Sequence, residues 1–273
     1  MSEVKYEVTG SVATITLNRP EQLNAMTLGL MNGVTAALQK VAAEEDVRVV
    51  VLTGAGRGFC SGADLSQVAA GSGGEDSGQA SSDDSDHPYN QTLQALHNCP
   101  VPTIARINGP AAGGGFGLAR SCDISIAASS AFFVATFGPR LGIVPDMGAT
   151  WSIPHAVGRA RALGITLLGE RITAEQAMDW GLIWSCVPED ELDEEVSRVA
   201  GILERSSPST VTRIRQSIDA AANNTFKAQL ALEMTHQAVL IPRNMQEGAR
   251  AFMEKREPSF SGERDPKPRD THR

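Results

Sequence analysis

Two glycine-rich turns decide the fold of this chain: Gly58-Phe59-Cys60-Ser61-Gly62-Ala63-Asp64 and, about fifty residues further on, Gly109-Pro110-Ala111-Ala112-Gly113-Gly114-Gly115. Each turn follows an apolar run of strand character and presents backbone N–H groups that small side chains leave uncovered. Two such amides converging on one point could hold a developing oxyanion, often the largest single contribution to catalysis at a carbonyl group. The sequence therefore predicts a site for a carbonyl group where the ends of two strands meet.

The segments around these turns predict an α/β fold with parallel or mixed sheets. Tyr6–Leu17 alternates apolar and polar residues around Gly10-Ser11, as a β-hairpin does, and a helix is expected from about Leu28 to Glu45. Short apolar runs that read as strands covered on both faces follow at Arg48–Leu52, Thr103–Ala105 and Ile124–Ile126. Helical segments separate these runs, which is the order of strand and helix that α/β folds show.

From Trp151 onward the sequence is helical. Thr173 and Gln176 form a capping box, and Ser207 precedes a proline at a first helical position. Helices are expected near 174–180, 189–206, 208–222, 226–240 and 244–254. We therefore divide the chain into a core domain, 1–200, and a C-terminal helical region, 201–273, whose end is expected to fray beyond Phe260.

Composition is that of a soluble globular protein, and it excludes several partners. The net charge of -8 argues against nucleic acid or an anionic membrane, so an anionic ligand needs a local basic pocket. The four cysteines show no CxxC pair and no metal-ligand spacing, which predicts reduced thiols in a cytoplasmic protein without a bound metal. The chain begins without a signal peptide, and no apolar run reaches the ~20 residues of a membrane span.

Residues 71–88 form an acidic segment rich in glycine and serine. Such a composition buries too little apolar surface to order itself. A disordered loop and a mobile lid over a neighbouring site are the two interpretations, and the second is suggested because the segment closely follows the first turn.

Two other chemistries could use the same turns. A dinucleotide site would need GxGxxG, which Gly113–Gly117 does not provide. Gly58–Gly62 could instead be a nucleophile elbow with Cys60 in place of serine, although no downstream acid and histidine form a recognisable triad.

Asp146 is a third candidate, because it follows Pro145 and precedes a small-residue turn into a helix. It is either a helix cap or a catalytic base. As a base it would need apolar walls to raise its pKa, and Val144, Met147 and Trp151 could supply them.

Several motifs together resemble the crotonase superfamily, the enoyl-CoA hydratase and isomerase fold, nearly from end to end. They are Leu17-Asn18-Arg19-Pro20 with Asn24-Ala25-Met26, Cys60–Leu65, Asn108–Asp123 and Glu247–Arg256. The stretch from Leu141 to Trp184 is most similar to the ring epoxide isomerases of phenylacetyl-CoA breakdown. The resemblance implies a crotonase-like spiral of ββα units with a C-terminal helical trimerisation region, assembled as a homotrimer or a dimer of trimers.

The resemblance also implies the roles of individual residues. The backbone amides of Ala63 and Gly114 would form an oxyanion hole for a thioester carbonyl, and Asp146 would be the catalytic acid or base. Coenzyme A would enter as part of the substrate, with no separate cofactor. Residues implied in binding CoA or the acyl group are Ala25, Arg57, Ser61, Asp64, Leu65, Gly113, Gly117, Phe137, Phe252 and Lys255. Arg57 would lie near the CoA phosphates, and Phe252 and Lys255 could reach CoA on a neighbouring subunit.

The sequence departs from the hydratases at the positions of their two glutamates. The first position is Gly117, and the second falls near Phe137-Gly138, where Pro139 resembles a one-residue insertion. Two carboxylates position and activate the water that hydratases add. Their loss favours an acyl-CoA isomerase in which Asp146 moves a proton to shift a double bond or rearrange a ring. The alternatives are a hydratase, a hydrolase or dehalogenase aided by His87 or His97, and a CoA-binding protein without activity.

Overall fold

The computed structural model of the protein describes residues 2–66 and 87–265. The strands are β1 (Val4–Thr9), β2 (Val12–Leu17), β3 (Val49–Gly54), β4 (Thr103–Ile107), β5 (Ala111–Ala112), β6 (Ile124–Ala128), β7 (Phe132–Val134), β8 (Ile172–Thr173) and β9 (Ser185–Val187). The helices are α1 (Leu28–Ala43), α2 (Pro88–His97), α3 (Gly114–Arg120), α4 (Ala149–Leu168), α5 (Ala174–Asp179), α6 (Leu192–Leu203), α7 (Pro208–Ala221), α8 (Phe226–Leu240) and α9 (Gln246–Glu254).

A mixed six-stranded sheet in the order β1-β2-β3-β4-β6-β9 forms the centre of the molecule. The β1–β2 hairpin is antiparallel and every other pair is parallel. All six residues of β3 are buried, as expected of a strand that has both faces covered. The α/β class, the hairpin and the three predicted strands are therefore confirmed.

A second layer of short strand pairings lies beside this sheet. It holds the sheet β5-β7-β8 and two isolated parallel bridges, Cys60 with Ala111 and Met26 with Ala63. After a strand in the large sheet, the chain enters the small layer and then a helix, as in β4, β5 and α3. This repeated path is the spiral of ββα units, and it brings the two glycine-rich turns together.

Apolar side chains cover both faces of the large sheet. The larger cluster contains Leu17, Leu30, Phe59, Phe116 and Phe133, all fully buried. On the opposite face, α6 packs its Leu192, Val196 and Val199 against the sheet. Burial of such a core supplies the dominant favourable free energy of folding.

The C-terminal helices agree with the sequence prediction in position and in their caps. Both reciprocal hydrogen bonds of the Thr173 capping box are present, and Ser207 is the N-cap residue of α7. The division into a core and a helical region at residue 200 stays a prediction.

The predicted fraying beyond Phe260 is wrong for residues 261–265. Arg264 donates hydrogen bonds to four carbonyls where α1 ends, those of Val41, Ala42, Glu44 and Val47. Carbonyls at a helix end lack partners within the helix and attract a cation, so one arginine anchors this segment. Residues 71–86 of the acidic segment lie outside the described residues. Its last two residues begin α2, with His87 as the N-cap.

Candidate active site

The first turn is fixed by pairing with two neighbouring segments. The Cys60 N–H donates to the Pro110 carbonyl, and the Cys60 carbonyl accepts from the Ala112 N–H. On the other side, the Met26 N–H donates to the Gly62 carbonyl, and the Met26 carbonyl accepts from the Asp64 N–H. Gly62 and Asp64, which make these two bonds to Met26, are the residues on either side of Ala63. In a parallel pairing the N–H of the residue between them points away from the partner strand, so the Ala63 N–H points away from Met26. In the described part of the chain this N–H has no acceptor.

The second turn leads directly into α3. Gly113 is the N-cap residue, and its φ of 52° with ψ of -125° is accessible only to glycine at low cost. The N–H of Gly114 is the first of the helix and has no partner among the described residues. Unpaired amides at a helix start attract negative charge, so Gly114 is a suitable donor to an anion.

The two turns are in direct contact through Gly62. A Cβ atom added to Gly62 would lie 2.9 Å from the Ala112 carbonyl oxygen and 3.3 Å from the Gly114 nitrogen. The Ala63 amide is the next peptide unit after Gly62, so it lies beside the Gly114 amide. Sequence reasoning predicted this meeting of two turns.

Asp146 lies near the second turn because Met147, the residue that follows it, packs against α3. Met147 is buried, and it packs against α3 so closely that a Cβ atom on Gly114 would lie 3.1 Å from its Cγ. At Gly117 an added Cβ would lie 2.3 Å from the Met147 carbonyl oxygen. Asp146 is therefore adjacent to the helix that begins at the Gly114 amide.

The surroundings of Asp146 suit a base better than a helix cap. The N-cap residue of α4 is Gly148, without a side-chain cap bond, so the helix-cap interpretation is wrong. Removal of water by the surrounding protein raises the pKa of the Asp146 carboxyl, while its own amide and the charge of His87 oppose this shift. The residue nevertheless remains accessible from outside. Of the three expected apolar neighbours only Met147 is buried, since Val144 and Trp151 are exposed.

The two positions at which the resemblance implies glutamates in hydratases carry no acid here. Gly117 has no room for a side chain, because the Met147 backbone lies against it. Phe137 is buried and begins a π-helical turn, Phe137–Leu141. A π turn holds one more residue than an α turn, which agrees with the predicted insertion near Pro139.

The implied CoA and acyl residues divide into two groups. Ala25, Ser61 and Asp64 lie together beside the first turn, where Arg19 binds the Ala25 carbonyl and forms a 2.8 Å ion pair with Asp64. Hydrogen bonds from Ser66 and the Arg19 ion pair lower the pKa of Asp64, so its carboxylate is already engaged. Leu65 is exposed at the same edge.

The other implied residues lie further away or are fully exposed. Arg57 is an exposed residue before the first turn, with no side-chain partner in the described part of the chain. On α9 the Phe252 side chain is 83% exposed, so it has little contact with the part of the chain that the structure describes. Lys255 ends α9 in a left-handed conformation and is also exposed. The single chain does not bring these last two residues to the turns.

Two asparagines that hold the first turn were not assigned a role from the sequence. Asn24 is fully buried, and its side-chain amide donates to the carbonyls of Ala55 and Gly58. Asn108 binds the carbonyls of Gly56 and Gly58. The sequence could have indicated this role, because polar residues beside a glycine-rich turn commonly form hydrogen bonds with its backbone groups.

The alternative of a Cys60 nucleophile is wrong. Cys60 is fully buried under Gly115, and burial raises the pKa of its thiol to about 12. A nucleophilic cysteine needs an accessible thiolate, so this residue has a packing role. The predicted reduced thiols agree with the structure, in which Cys60, Cys99, Cys122 and Cys186 are all free.

No helix in the described residues is long and apolar enough to cross a membrane.

Comparison with known proteins gives consistent relatives. The "Enoyl-CoA hydratase/isomerase" family matches residues 7–263. A "Probable enoyl-CoA hydratase" of Rhodobacter capsulatus is 40% identical over 95% of this chain and 98% of its own length. The "1,2-epoxyphenylacetyl-CoA isomerase" of Escherichia coli is 39% identical over 96% of this chain and 99% of its own length. The crystal structure of an enoyl-CoA hydratase from Polaromonas sp. JS666 superposes with a TM-score of 0.86 at 32% identity, covering 94% of this chain and 99% of that one.

These matches extend over nearly the whole chain and include both glycine-rich turns. The protein has the mixed α/β crotonase fold with a C-terminal helical region, and it belongs to the enoyl-CoA hydratase/isomerase family of the crotonase superfamily.

Proposed function

We propose that the protein is an acyl-CoA isomerase. The amides of Ala63 and Gly114 bind the thioester oxygen and stabilise the enolate that forms when the substrate loses a proton. Asp146 takes that proton and returns it at another carbon, so that a double bond moves or a ring rearranges. Each oxyanion donor contributes about 10²–10³ in rate, and a positioned base contributes about 10²–10⁴.

The observation that carries this proposal is the contact between Met147 and the first turn of α3. It brings an accessible carboxyl with a raised pKa next to the helix whose first amide has no acceptor among the described residues. A base with a raised pKa takes a proton from a carbon acid more readily, because the pKa of the base is then closer to the pKa of the C–H group. One carboxyl that both accepts and returns a proton is sufficient for isomerisation.

Hydration is disfavoured by the positions that lack acids. Adding water across a double bond requires groups that hold and deprotonate the water, and two carboxylates do this in the hydratases that the chain resembles. Gly117 and Phe137 cannot do so, and Gly117 has no space for a longer side chain. The similarity to a 1,2-epoxyphenylacetyl-CoA isomerase supports the choice of an isomerase and a cyclic acyl group.

A hydrolytic or dehalogenating reaction is the second candidate, and one observation favours it. The charge of His87 lowers the pKa of the Asp146 carboxyl, and in this second candidate His87 is the group that assists a water molecule after nucleophilic attack by Asp146. Mass spectrometry of the protein during a single turnover separates the two candidates. A covalent adduct on Asp146 supports hydrolysis, whereas solvent deuterium in the product without an adduct supports isomerisation.

The change Asp146→Asn tests the assigned role directly. It keeps the size of the side chain but removes the base, so kcat is expected to fall by about 10²–10⁴ while CoA-thioester binding changes little. Turnover of 3-enoyl-CoA thioesters and calorimetric titration with a saturated acyl-CoA measure the two quantities. Full activity in this variant rules out the proposed base, and a wild-type protein that binds but never turns over any enoyl-CoA is a CoA-binding protein without activity.

A further inference from the structure

The guanidinium group of Arg19 bridges two segments that meet at the first glycine-rich turn. Its Nη1 donates to the Ala25 carbonyl, and its Nη2 forms the 2.8 Å ion pair with Asp64 Oδ2. Ala25 comes directly before Met26 in the sequence. Asp64 comes directly after Ala63, so the two contacts flank the bridge between Met26 and Ala63. One arginine therefore joins the two segments whose pairing sets the direction of the Ala63 N–H.

The segment that pairs with the turn needs such a contact, because its backbone is strained. Leu23 and Asn24, which lead into it, adopt positive φ values of 49° and 57°. Residues other than glycine seldom adopt this conformation unless the surrounding structure holds it. The backbone N–H of Arg19 donates to Asn24 Oδ1 at 2.9 Å. Asn24 and Ala25 are thus held by the main chain and the side chain of the same arginine.

The carboxylate of Asp64 is held at both of its oxygens. Oδ2 accepts from Arg19, while Oδ1 accepts from the hydroxyl of Ser66 at 2.7 Å and from the Ser66 N–H at 3.1 Å. Hydrogen bonds to a charged acceptor are the strong ones. The Asp64 N–H donates to the Met26 carbonyl. The side chain and the backbone of Asp64 are therefore both fixed, and the Ala63 amide is the neighbouring peptide unit.

The second amide of the site depends on the same segment. Met26 is buried, and a Cβ atom on Gly114 would overlap the Cε atom of Met26. Met26 thus pairs with Ala63 through its backbone and packs against Gly114 through its side chain. A shift of this segment would change the spacing between the Ala63 and Gly114 amides.

Arg19 also binds one group outside the turn. Its Nε forms a 3.1 Å ion pair with Glu3 Oε1, and Glu3 Oε2 accepts from the hydroxyl of Thr27, the N-cap residue of α1. Among the described residues, the Glu3 side chain bonds to neither Ala25 nor Asp64. The contacts of one side chain therefore divide into two that reach the turn and its partner segment and one that does not.

We propose that Arg19 is a positioning residue of the oxyanion site, which directs the Ala63 N–H at the thioester oxygen by bridging Ala25 and Asp64. The inference rests on the proposed function, since it takes the amides of Ala63 and Gly114 as the oxyanion donors. Such donors stabilise the transition state because they are already oriented before the reaction begins. Loss of the bridge should therefore lower the rate more than it weakens binding, and a displacement of about 1 Å can cost about 10²-fold.

Arg19→Met tests this role, because it keeps an unbranched side chain and removes every side-chain donor. We expect kcat to fall roughly 10–100-fold with a much smaller change in KM. Arg19→Lys keeps the charge but loses the planar group that reaches two acceptors, so it should recover only part of the rate. Asp64→Asn weakens one of the two contacts and should act in the same direction. Glu3→Gln is the control and should leave kcat close to that of the wild type.

Infrared difference spectroscopy reports on the oxyanion donors without turnover. The probe is hexanoyl-CoA with an isotope label at the thioester carbonyl, whose stretching frequency falls when its oxygen accepts hydrogen bonds. Saturating wild-type protein is expected to lower this frequency. Arg19→Met should lose much of the shift, and Glu3→Gln should keep it. Thermal unfolding of each variant measures how far its fold is retained, and if Arg19→Met is too unstable, Arg19→Lys and Asp64→Asn decide by the same readouts.

Three results would overturn the inference. The first is a full frequency shift with unchanged kcat in Arg19→Met, or in both milder variants. The second is an equal loss of kcat in Arg19→Met and Glu3→Gln that follows their loss of thermal stability, which would assign Arg19 a purely structural role. The third is the absence of any shift in the wild type, which would reject the oxyanion site itself. A shift that depends on Arg19, together with full turnover in Asp146→Asn, would reject the proposed base and keep the assignment of Arg19.

Discussion

At the scale of single residues, the site depends on what surrounds one carboxyl. Asp146 follows a proline and precedes Met147, which adopts a positive φ of 51°. This strained position is maintained because the Met147 side chain is buried against α3. The proposed base is thus positioned by its neighbour in sequence, whose contacts fix the backbone of Asp146.

The pH dependence of activity should report the environment of Asp146. The base must be ionised to accept a proton, so kcat/KM falls as the pH drops through its pKa, which lies above the ordinary 3.8. The charge of His87 lowers this pKa, so His87→Asn is expected to move the acidic limb of the profile to higher pH. His155→Asn, which changes an exposed ring that does not act on Asp146, serves as the control.

Profiles of kcat/KM for the wild type and both variants, with one 3-enoyl-CoA thioester, measure this shift. A limb that moves to lower pH in His87→Asn would contradict the assigned electrostatic contact.

At the scale of secondary-structure elements, close packing between α3 and the segment that carries Asp146 forms the site. The glycines at positions 114 and 117, one turn apart, form a face without side chains on which Met147 lies. A longer residue at either position would separate the base from the Gly114 amide.

Gly117→Ala tests this packing. The new methyl group would lie 2.3 Å from the Met147 carbonyl oxygen, so the segment must move. Overpacking of this kind costs about 1–3 kcal/mol of stability, and displacement of Asp146 should lower kcat by more than tenfold. Gly164→Ala on α4 is the control. Outside its own helical turns, no atom of residues 2–66 and 87–265 lies within 4 Å of the new methyl group, so the change should be neutral or slightly stabilising.

Urea unfolding and steady-state kinetics on both variants provide the comparison. Equal activity in the two variants would show that the Gly117 contact does not position the base.

Much of this arrangement could be predicted from the sequence because its signals are local. The buried β-branched run at β3, the Thr173 capping box and both glycine-rich turns follow from short-range rules. Contacts between distant segments could not be predicted in this way, because nothing local relates Met147 to Gly117. The anchoring of Arg264 was missed for the same reason: a charged, proline-rich terminus resembles a disordered one until the helix end that it covers is known.

At the scale of the whole molecule, the C-terminal helices carry several large apolar side chains that are exposed. Phe226, Met234, Phe252 and Met253 are each between 69% and 83% exposed. Large apolar patches on a soluble protein mark surfaces of interaction. Assembly through these helices would cover such side chains. The homotrimer or dimer of trimers stays a prediction, in which Phe252 and Lys255 would contact CoA bound by a neighbouring subunit.

Phe252→Ala is expected to raise KM for acyl-CoA thioesters with a much smaller effect on kcat, because Phe252 is remote from the reacting atoms. Phe226→Ala, which removes an equally exposed ring on α8, is the matched control. Light scattering after size-exclusion chromatography gives the assembly state of each variant. A wild-type protein that is monomeric at micromolar concentration, with unchanged KM in Phe252→Ala, would refute the predicted assembly.

The central claim is that two backbone amides and one carboxyl act on a single thioester. A crystal structure of the Asp146→Asn variant with a bound 3-enoyl-CoA tests it most directly. We expect the thioester oxygen to lie about 2.7–3.1 Å from the nitrogens of both Ala63 and Gly114, with the substituted side chain at position 146 beside the carbon that loses its proton. A thioester oxygen bound elsewhere, or an acyl group that leaves the site on the side away from position 146, would contradict the account.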